Sequence, residues 1–144
     1  MKCVIFDMDG TLANVEHRRH HLQKDKPDLK SWNKEIANDT PNEHICELAC
    51  LYHRQGYKII VCSGRFEEYR GITKIQLYDW IHYEALYMRK DGDYRSDVDV
   101  KQDMLNAIIS QGYKPVISFD DRDKVVKMWR DNNIPCCQVA EGAF

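Results

Sequence analysis

Short apolar runs alternate along the chain with longer segments whose apolar residues recur every three to four positions. The runs at 2–6, 58–62, 85–88, 116–119 and 136–139 are almost continuously apolar. That is the pattern of strands covered on both faces, and hence of a parallel sheet. Ile45, Leu48, Ala49 and Tyr52 follow i, i+3, i+4, i+7 spacing, with Pro41 and Asn42 as a start signal and Gly56 as a stop, which predicts a helix. A second helix is expected over 67–83 with Tyr69, Thr73, Leu77, Trp80 and Ile81 inward, and a third over 98–111 with Met104, Leu105 and Ile108 inward, ended by Gly112. A fourth, over 123–132, places Val125, Val126 and Trp129 on one face before Pro135 admits the last strand. With right-handed crossovers this order predicts an α/β fold, a doubly wound and mostly parallel sheet with helices on both faces.

The stretch 12–40 breaks the alternation. It is polar, shows little periodicity from Lys24 to Lys30, and exceeds the ~2–6 residues of an ordinary βα loop. It reads as a small cap-like insert in one domain spanning 1–144, and the length suits one sizeable core and one active site.

Composition changes this picture little. With 43% hydrophobic and 31% charged residues the chain reads as globular, and a formal net charge of -2 gives nucleic-acid binding no support while leaving room for a local basic patch. No apolar run approaches the ~18 residues of a membrane span, and Asp7 interrupts the start too early for a signal peptide. The expectation is a cytoplasmic protein without membrane contact, its six cysteines reduced and in the core because none forms a C-x-x-C pair.

Four clusters carry candidate chemistry. Asp7-Met8-Asp9-Gly10-Thr11 begins where the first strand ends. Alternation there points both carboxylates the same way, so one can attack a phosphoryl group while the other moves protons, although a plain Asx turn has the same composition. An EF-hand loop is ruled out, since one begun at Asp7 would need Gly at Leu12 and Glu at Arg18. Ser63-Gly64-Arg65 follows a strand and precedes a predicted helix, offering a hydroxyl and helix N-terminal amides to phosphate oxygens, or simply a turn and cap. Lys101 lies near a helix start, where a cation is unfavourable to the dipole; it either neutralises a phosphoryl transition state or is a solvated lysine. Asp120-Asp121-Arg122 follows a strand, supplying either carboxylates for a hard cation or capping acids. All four fall at or just beyond the C-terminal edge of one predicted sheet, where open α/β folds bind ligands.

These motifs resemble the four of the haloacid dehalogenase superfamily along nearly the whole chain. The resemblance implies that Asp7 is a nucleophile, that Asp9 is a general acid/base, and that Ser63 and Lys101 hold the phosphoryl group. It also implies magnesium bound by Asp7, Asp120 and the Asp9 carbonyl, with Asp121 supporting. Longer stretches are similar to the 3′-phosphatase domains of bacteriophage polynucleotide kinases. They include Gly56-Tyr57-Lys58-Ile59-Ile60-Val61-Cys62-Ser63-Gly64-Arg65, Asp97-Val98-Asp99-Val100-Lys101, Val125 to Arg130 and Gln138 to Phe144. That likeness adds Arg18, Gly64, Arg65 and Asp97 as substrate-binding residues and implies a 3′-phosphorylated DNA or RNA end as substrate. No kinase segment is present, so 5′-phosphorylation is not expected. The insert departs from the pattern: His17-Arg18-Arg19-His20-His21 can steer a nucleic-acid backbone or be a solvated basic loop, and Trp32 or Tyr69 can stack on a terminal base or simply pack. Two other functions stay open, a phosphatase for mononucleotides or other small phosphomonoesters and a non-catalytic module that binds nucleic-acid ends.

Overall fold

The computed structural model describes residues 1–144. In chain order it runs β1 (Lys2–Asp7), β2 (Ala13–Asn14), α1 (Leu29–Lys34), β3 (Thr40–Pro41), α2 (Glu43–Arg54), β4 (Lys58–Phe66), α3 (Arg70–Trp80), β5 (Ala85–Arg89), α4 (Asp97–Ser110), β6 (Lys114–Asp120), α5 (Asp123–Asp131) and β7 (Cys136–Gln138). Five strands form one sheet in the order β5-β4-β1-β6-β7, and every pairing in it is parallel. The chain winds outward from β1 to β5, then crosses back to β6. The C-terminal ends of β1, β4 and β6 therefore frame the switch point where such sheets bind ligands.

The two faces are packed separately, as continuous apolar strands require. Cys3 and Ile5 of β1 and Ile60 and Cys62 of β4 face one core, which α4 and α5 fill with Val100, Met104, Leu105, Ile108, Val126 and Trp129. Val4, Phe6, Ile59 and Val61 face the other, against Cys46 and Ala49 of α2 and Leu77 of α3. Phe6 and its register partner Phe119 stack at 4.7 Å. No helix is long and apolar enough to cross a membrane.

Three expectations are corrected. The strand expected to stop at Cys62 continues to Phe66, and its register with β5 shifts between Ser63 and Phe66, which pair with the adjacent Met88 and Arg89. Gly64 and Arg65 are thus extra residues in a bulge, a device that re-aims side chains beside active sites. The following helix starts only at Arg70, after a 3₁₀ turn at Glu67–Tyr69, so helix N-terminal amides do not sit at Ser63. The cysteines are all free, but only Cys3, Cys46, Cys62 and Cys136 are buried. Burial pushes the Cys3 and Cys46 thiols up to about 11, whereas Cys137 is exposed because alternation along the edge strand turns it outward.

The stretch 12–40 is not structureless. Its ends pair as the antiparallel β2–β3 ribbon, Ala13 with Pro41 and Asn14 with Thr40. Between them lie a 3₁₀ helix at Glu16–His21, the six-residue α1 and a 3₁₀ turn at Ile36–Asn38.

Candidate active site

Asp7 closes β1, and the next residues turn tightly: the Ala13 amide donates to the Met8 carbonyl at 2.9 Å and the Gly10 amide to the Ala13 carbonyl at 2.9 Å. Gly10 adopts φ +81, and a Cβ there would lie 2.1 Å from Asp121 Oδ2, so the turn needs glycine for its conformation and for space. Asp7 is buried, accepting from Lys101 Nζ at 2.7 Å and from the Thr11 hydroxyl at 3.1 Å. Asp120, at the end of β6, accepts from the same Nζ at 2.9 Å, from Trp129 Nε1 at 3.2 Å and from the Asp121 and Arg122 amides. Lys101 is not a solvated lysine. It is 2% exposed and bridges two carboxylates contributed by different strands.

Asp7, Asp120 and Asp121 bring carboxylate oxygens within 4.8 Å of one another. Burial, then Asp120 and Asp121 nearby, push Asp7 well above the usual carboxylate range despite Lys101. Burial and Asp120 likewise raise Asp121, whose buried Oδ2 makes no hydrogen bond. Three buried acids with one buried lysine, Arg19 no nearer than 3.5 Å to Asp121, and an oxygen without a hydrogen bond fit a hard divalent cation bound through carboxylates.

Asp9 faces a different environment. Its Oδ1 accepts from Arg18 Nη2 at 2.9 Å and Arg65 Nε at 2.9 Å. Burial opposes its charge, but Arg65 and Arg18 outweigh burial and hold the carboxyl below its ordinary range. Both arginines converge on Asp39, which sequence reading missed. Its buried carboxylate accepts from Arg18 Nε at 2.8 Å and Nη2 at 2.6 Å, from Arg65 Nη2 at 2.9 Å, and lies 2.7 Å from His17 Nε2. Arg65 also donates to Thr73 Oγ1 and Gln76 Oε1. Far from a solvated loop residue, Arg18 is fully buried, with Trp32 stacked on its guanidinium at 3.9 Å.

Asp7, Asp9, Gly64, Arg65, Asp97, Lys101, Asp120 and Asp121 line one cleft of about 510 Å³, joined by Trp32 but not by Tyr69. Arg18 and Ser63 are fully buried and do not line it; the Ser63 hydroxyl accepts from the Arg65 amide at 3.1 Å. Asp97, in the first turn of α4, pairs with Arg89 and with Arg122 at 2.8 Å. Burial works against its charge, but Lys101, Arg122 and Arg89 hold it below the usual range.

The C-terminal segment packs on this apparatus. The Gly142 carbonyl accepts from the Asp123 amide at 2.8 Å, and a Cβ on Gly142 would lie 1.8 Å from the Asp121 carbonyl oxygen and 2.8 Å from Arg122 Cα. Backbone cannot yield as a side-chain tip can. Gly142→Ala is therefore expected to cost about 1–3 kcal/mol and to lower turnover by displacing Asp121; urea unfolding and phosphate release both matching wild type would count against it.

A family model described as the polynucleotide kinase PNKP phosphatase domain matches residues 1–144. An Autographa californica nuclear polyhedrosis virus protein named "Putative bifunctional polynucleotide kinase/RNA ligase" is 28% identical over 139 residues, covering 93% of this chain and 18% of its own length. Two solved chains, from structures described as the Pnkp1/Rnl/Hen1 complex and the Pnkp1/Rnl/Hen1 RNA repair complex, are 34% and 35% identical with TM-scores of 0.86 and 0.82. Each match covers 99% of this chain but only 47% and 43% of the solved chains. A haloacid dehalogenase-like hydrolase from Streptococcus pneumoniae shares the fold at TM-score 0.64 and 13% identity, over 94% of this chain and 83% of that one.

Proposed function

Because the chain belongs to the polynucleotide kinase PNKP phosphatase domains, a family of haloacid dehalogenase-type phosphatases, we propose that it removes the 3′-terminal phosphate from nucleic acid, through an aspartyl-phosphate formed on Asp7. We read 1–144 as one catalytic domain and 12–40 as its small cap. The observation that carries the reading is the convergence of Asp7, Asp9, Lys101, Asp120 and Asp121 in one cleft. Asp7, Asp120 and Asp121 would hold magnesium, which supplies charge to offset that of the attacking carboxylate and the phosphate.

The chain's own groups divide the rest. An Asp7 oxygen attacks phosphorus in line with the 3′ oxygen, whose bond to phosphorus breaks. Lys101, held at 2.7 Å from Asp7, neutralises charge on the transferring group. Asp9 carries its arginine contacts on Oδ1, while Oδ2 makes no hydrogen bond within the chain. Proton transfer is assigned to Oδ2. A phosphate dianion arriving beside Asp9 raises its pKa against the arginines, so the protonated acid can donate to the departing 3′ oxygen. Asp9 then takes a proton from water, and the resulting hydroxide attacks phosphorus and releases phosphate and Asp7. The bulged Gly64-Arg65 segment positions the phosphoryl oxygens, the buried Ser63 hydroxyl holding its Arg65 amide at 3.1 Å; Arg18 holds Asp9 from behind, and Asp97 fixes the arginines at the rim.

The RNA repair complex that holds a similar chain and the stacked Trp32 beside the cleft favour a polynucleotide end over a small phosphomonoester. The test is phosphate release, with magnesium or with chelator, from a 3′-phosphorylated oligonucleotide, a 5′-phosphorylated one and a 3′-mononucleotide. Magnesium-dependent preference for the 3′-phosphorylated oligonucleotide is expected. Turnover of the mononucleotide with both oligonucleotides untouched would overturn the substrate assignment.

A further inference from the structure

The cleft is also lined by Phe66, Tyr94 and Arg95, which the chemistry above does not use. Tyr94 is 79% exposed and touches Phe66 edge-on, with ring centroids 5.6 Å apart. An exposed ring on a loop ordinarily signifies nothing, but the backbone here is clamped on both sides of it. Arg89, itself buried, donates through Nη1 to the carbonyls of Asp93 at 3.0 Å and Arg95 at 2.7 Å, and through Nε to the Gly64 carbonyl at 3.0 Å. The Asp93 amide donates to the Lys90 carbonyl at 3.1 Å, closing a turn that Gly92 permits at φ +80. An aromatic ring on an ordered backbone meets a ligand with little left to immobilise.

A second, smaller concavity adjoins the cleft, sharing Arg89, Arg95, Asp97 and Arg122 with it and adding Lys124. Lys124 is exposed and makes no ion pair, and Arg95, half-exposed, pairs only with the surface acids Asp93 and Asp103. Arg95 holds Asp93 through Nε at 3.0 Å and Nη2 at 2.9 Å, so of these two cations Lys124 is free to meet a phosphate outright, with Arg95 reaching it by releasing Asp103. None of Asp7, Asp120 and Asp121 lines this concavity, so it lies beside the acidic cluster rather than over it.

We infer that Tyr94, backed by Phe66, is a stacking platform for the second base from the 3′ end, with Arg95 and Lys124 taking the internucleotide phosphate. The site thereby selects an unpaired strand of at least two nucleotides. This rests on the 3′-end reading above. Stacking tolerates any base but needs a free face, which a paired and stacked duplex base does not offer.

The test compares wild type, Tyr94→Ala and Tyr94→Phe on a single-stranded 3′-phosphorylated oligonucleotide and a 3′-mononucleotide. In Tyr94→Ala the ratio of kcat/KM on the oligonucleotide to that on the mononucleotide falls by about 5- to 100-fold, through KM, while Tyr94→Phe keeps the wild-type ratio. In the Asp7→Asn background, 2-aminopurine at the second position is quenched on binding, and adding Tyr94→Ala removes the quench. An unchanged ratio and quench, with wild type still preferring the oligonucleotide, overturn the platform alone. Equal losses on both substrates assign Tyr94 to loop structure and also overturn it. Wild type that cleaves only the mononucleotide overturns the 3′-end reading, and the platform with it.

Discussion

Asp7→Asn is expected to abolish phosphate release, by at least about 10⁴-fold, without unfolding the protein. Asparagine has nearly the shape of aspartate, so the β1 terminus keeps its packing, but the amide is no nucleophile towards phosphorus. The stability side has a definite sign. Asp7 is buried beside Asp120 and Asp121, and only Lys101, with Arg19 3.5 Å from Asp121, offsets the three. Removing one negative charge relieves repulsion while Lys101 keeps its 2.9 Å contact with Asp120. In magnesium-free buffer the variant should therefore unfold at the same urea concentration as wild type or a higher one, as expected where a site is built for chemistry at some expense of stability. Residual turnover above a few per cent, or clear destabilisation, would show that Asp7 is a structural carboxylate.

The second large effect belongs to a residue outside the four motifs. Asp39→Ala removes the shared anion of Arg18 and Arg65, two guanidiniums that are themselves 0% and 3% exposed. Asp9 Oδ1 alone would then face both. Breaking a buried ion pair from one side costs about 3–5 kcal/mol, because the partner's charge is left uncompensated. The loss should appear as a lower urea midpoint with an unchanged slope. Turnover should fall by about 10²-fold or more, since misplacing a catalytic group by an ångström costs that much and Asp9 is aimed by these arginines. A second variant, Asp39→Asn, keeps the volume but turns an amide N–H towards a guanidinium, so it should lose activity even where it folds. Wild-type turnover in Asp39→Asn would mean that Asp9 is positioned without this network.

The central strands and their order were legible because β1 and β4 are continuously apolar and because glycines end α2 and α4 where the periodicity stops. The placement of Asp7, Lys101, Asp120 and Asp121 at one sheet edge followed from that order. Asp39 was illegible for a physical reason: its partners are 21 and 26 residues away, and an aspartate before Thr40-Pro41 in a polar stretch looks like any turn. The bulge at Gly64-Arg65 escaped because two extra residues in a strand leave no mark on hydrophobic alternation. Residue physics alone left Arg18 between a segment that steers a nucleic-acid backbone and a solvated loop, and only the family resemblance tied it to the active site. The β2–β3 ribbon is two residues long on each side, too short for any pattern to register.

That ribbon, together with the quartet of Asp9, Arg18, Asp39 and Arg65, has a kinetic meaning. A segment clasped at both ends and tied to the floor of the cleft by the buried Arg65–Asp39 pair and the part-buried Arg18–Asp9 pair is built as a wall rather than a swinging lid. Strand ends would enter and leave through a mouth that does not have to open, so turnover on the proposed route is governed by chemistry or product dissociation rather than by a gating motion. A mouth without a door also admits water throughout the cycle. On the proposed route an aspartyl-phosphate formed there would meet water at once, so a wall that stays in place would favour hydrolysis over passing the phosphoryl group to a second acceptor.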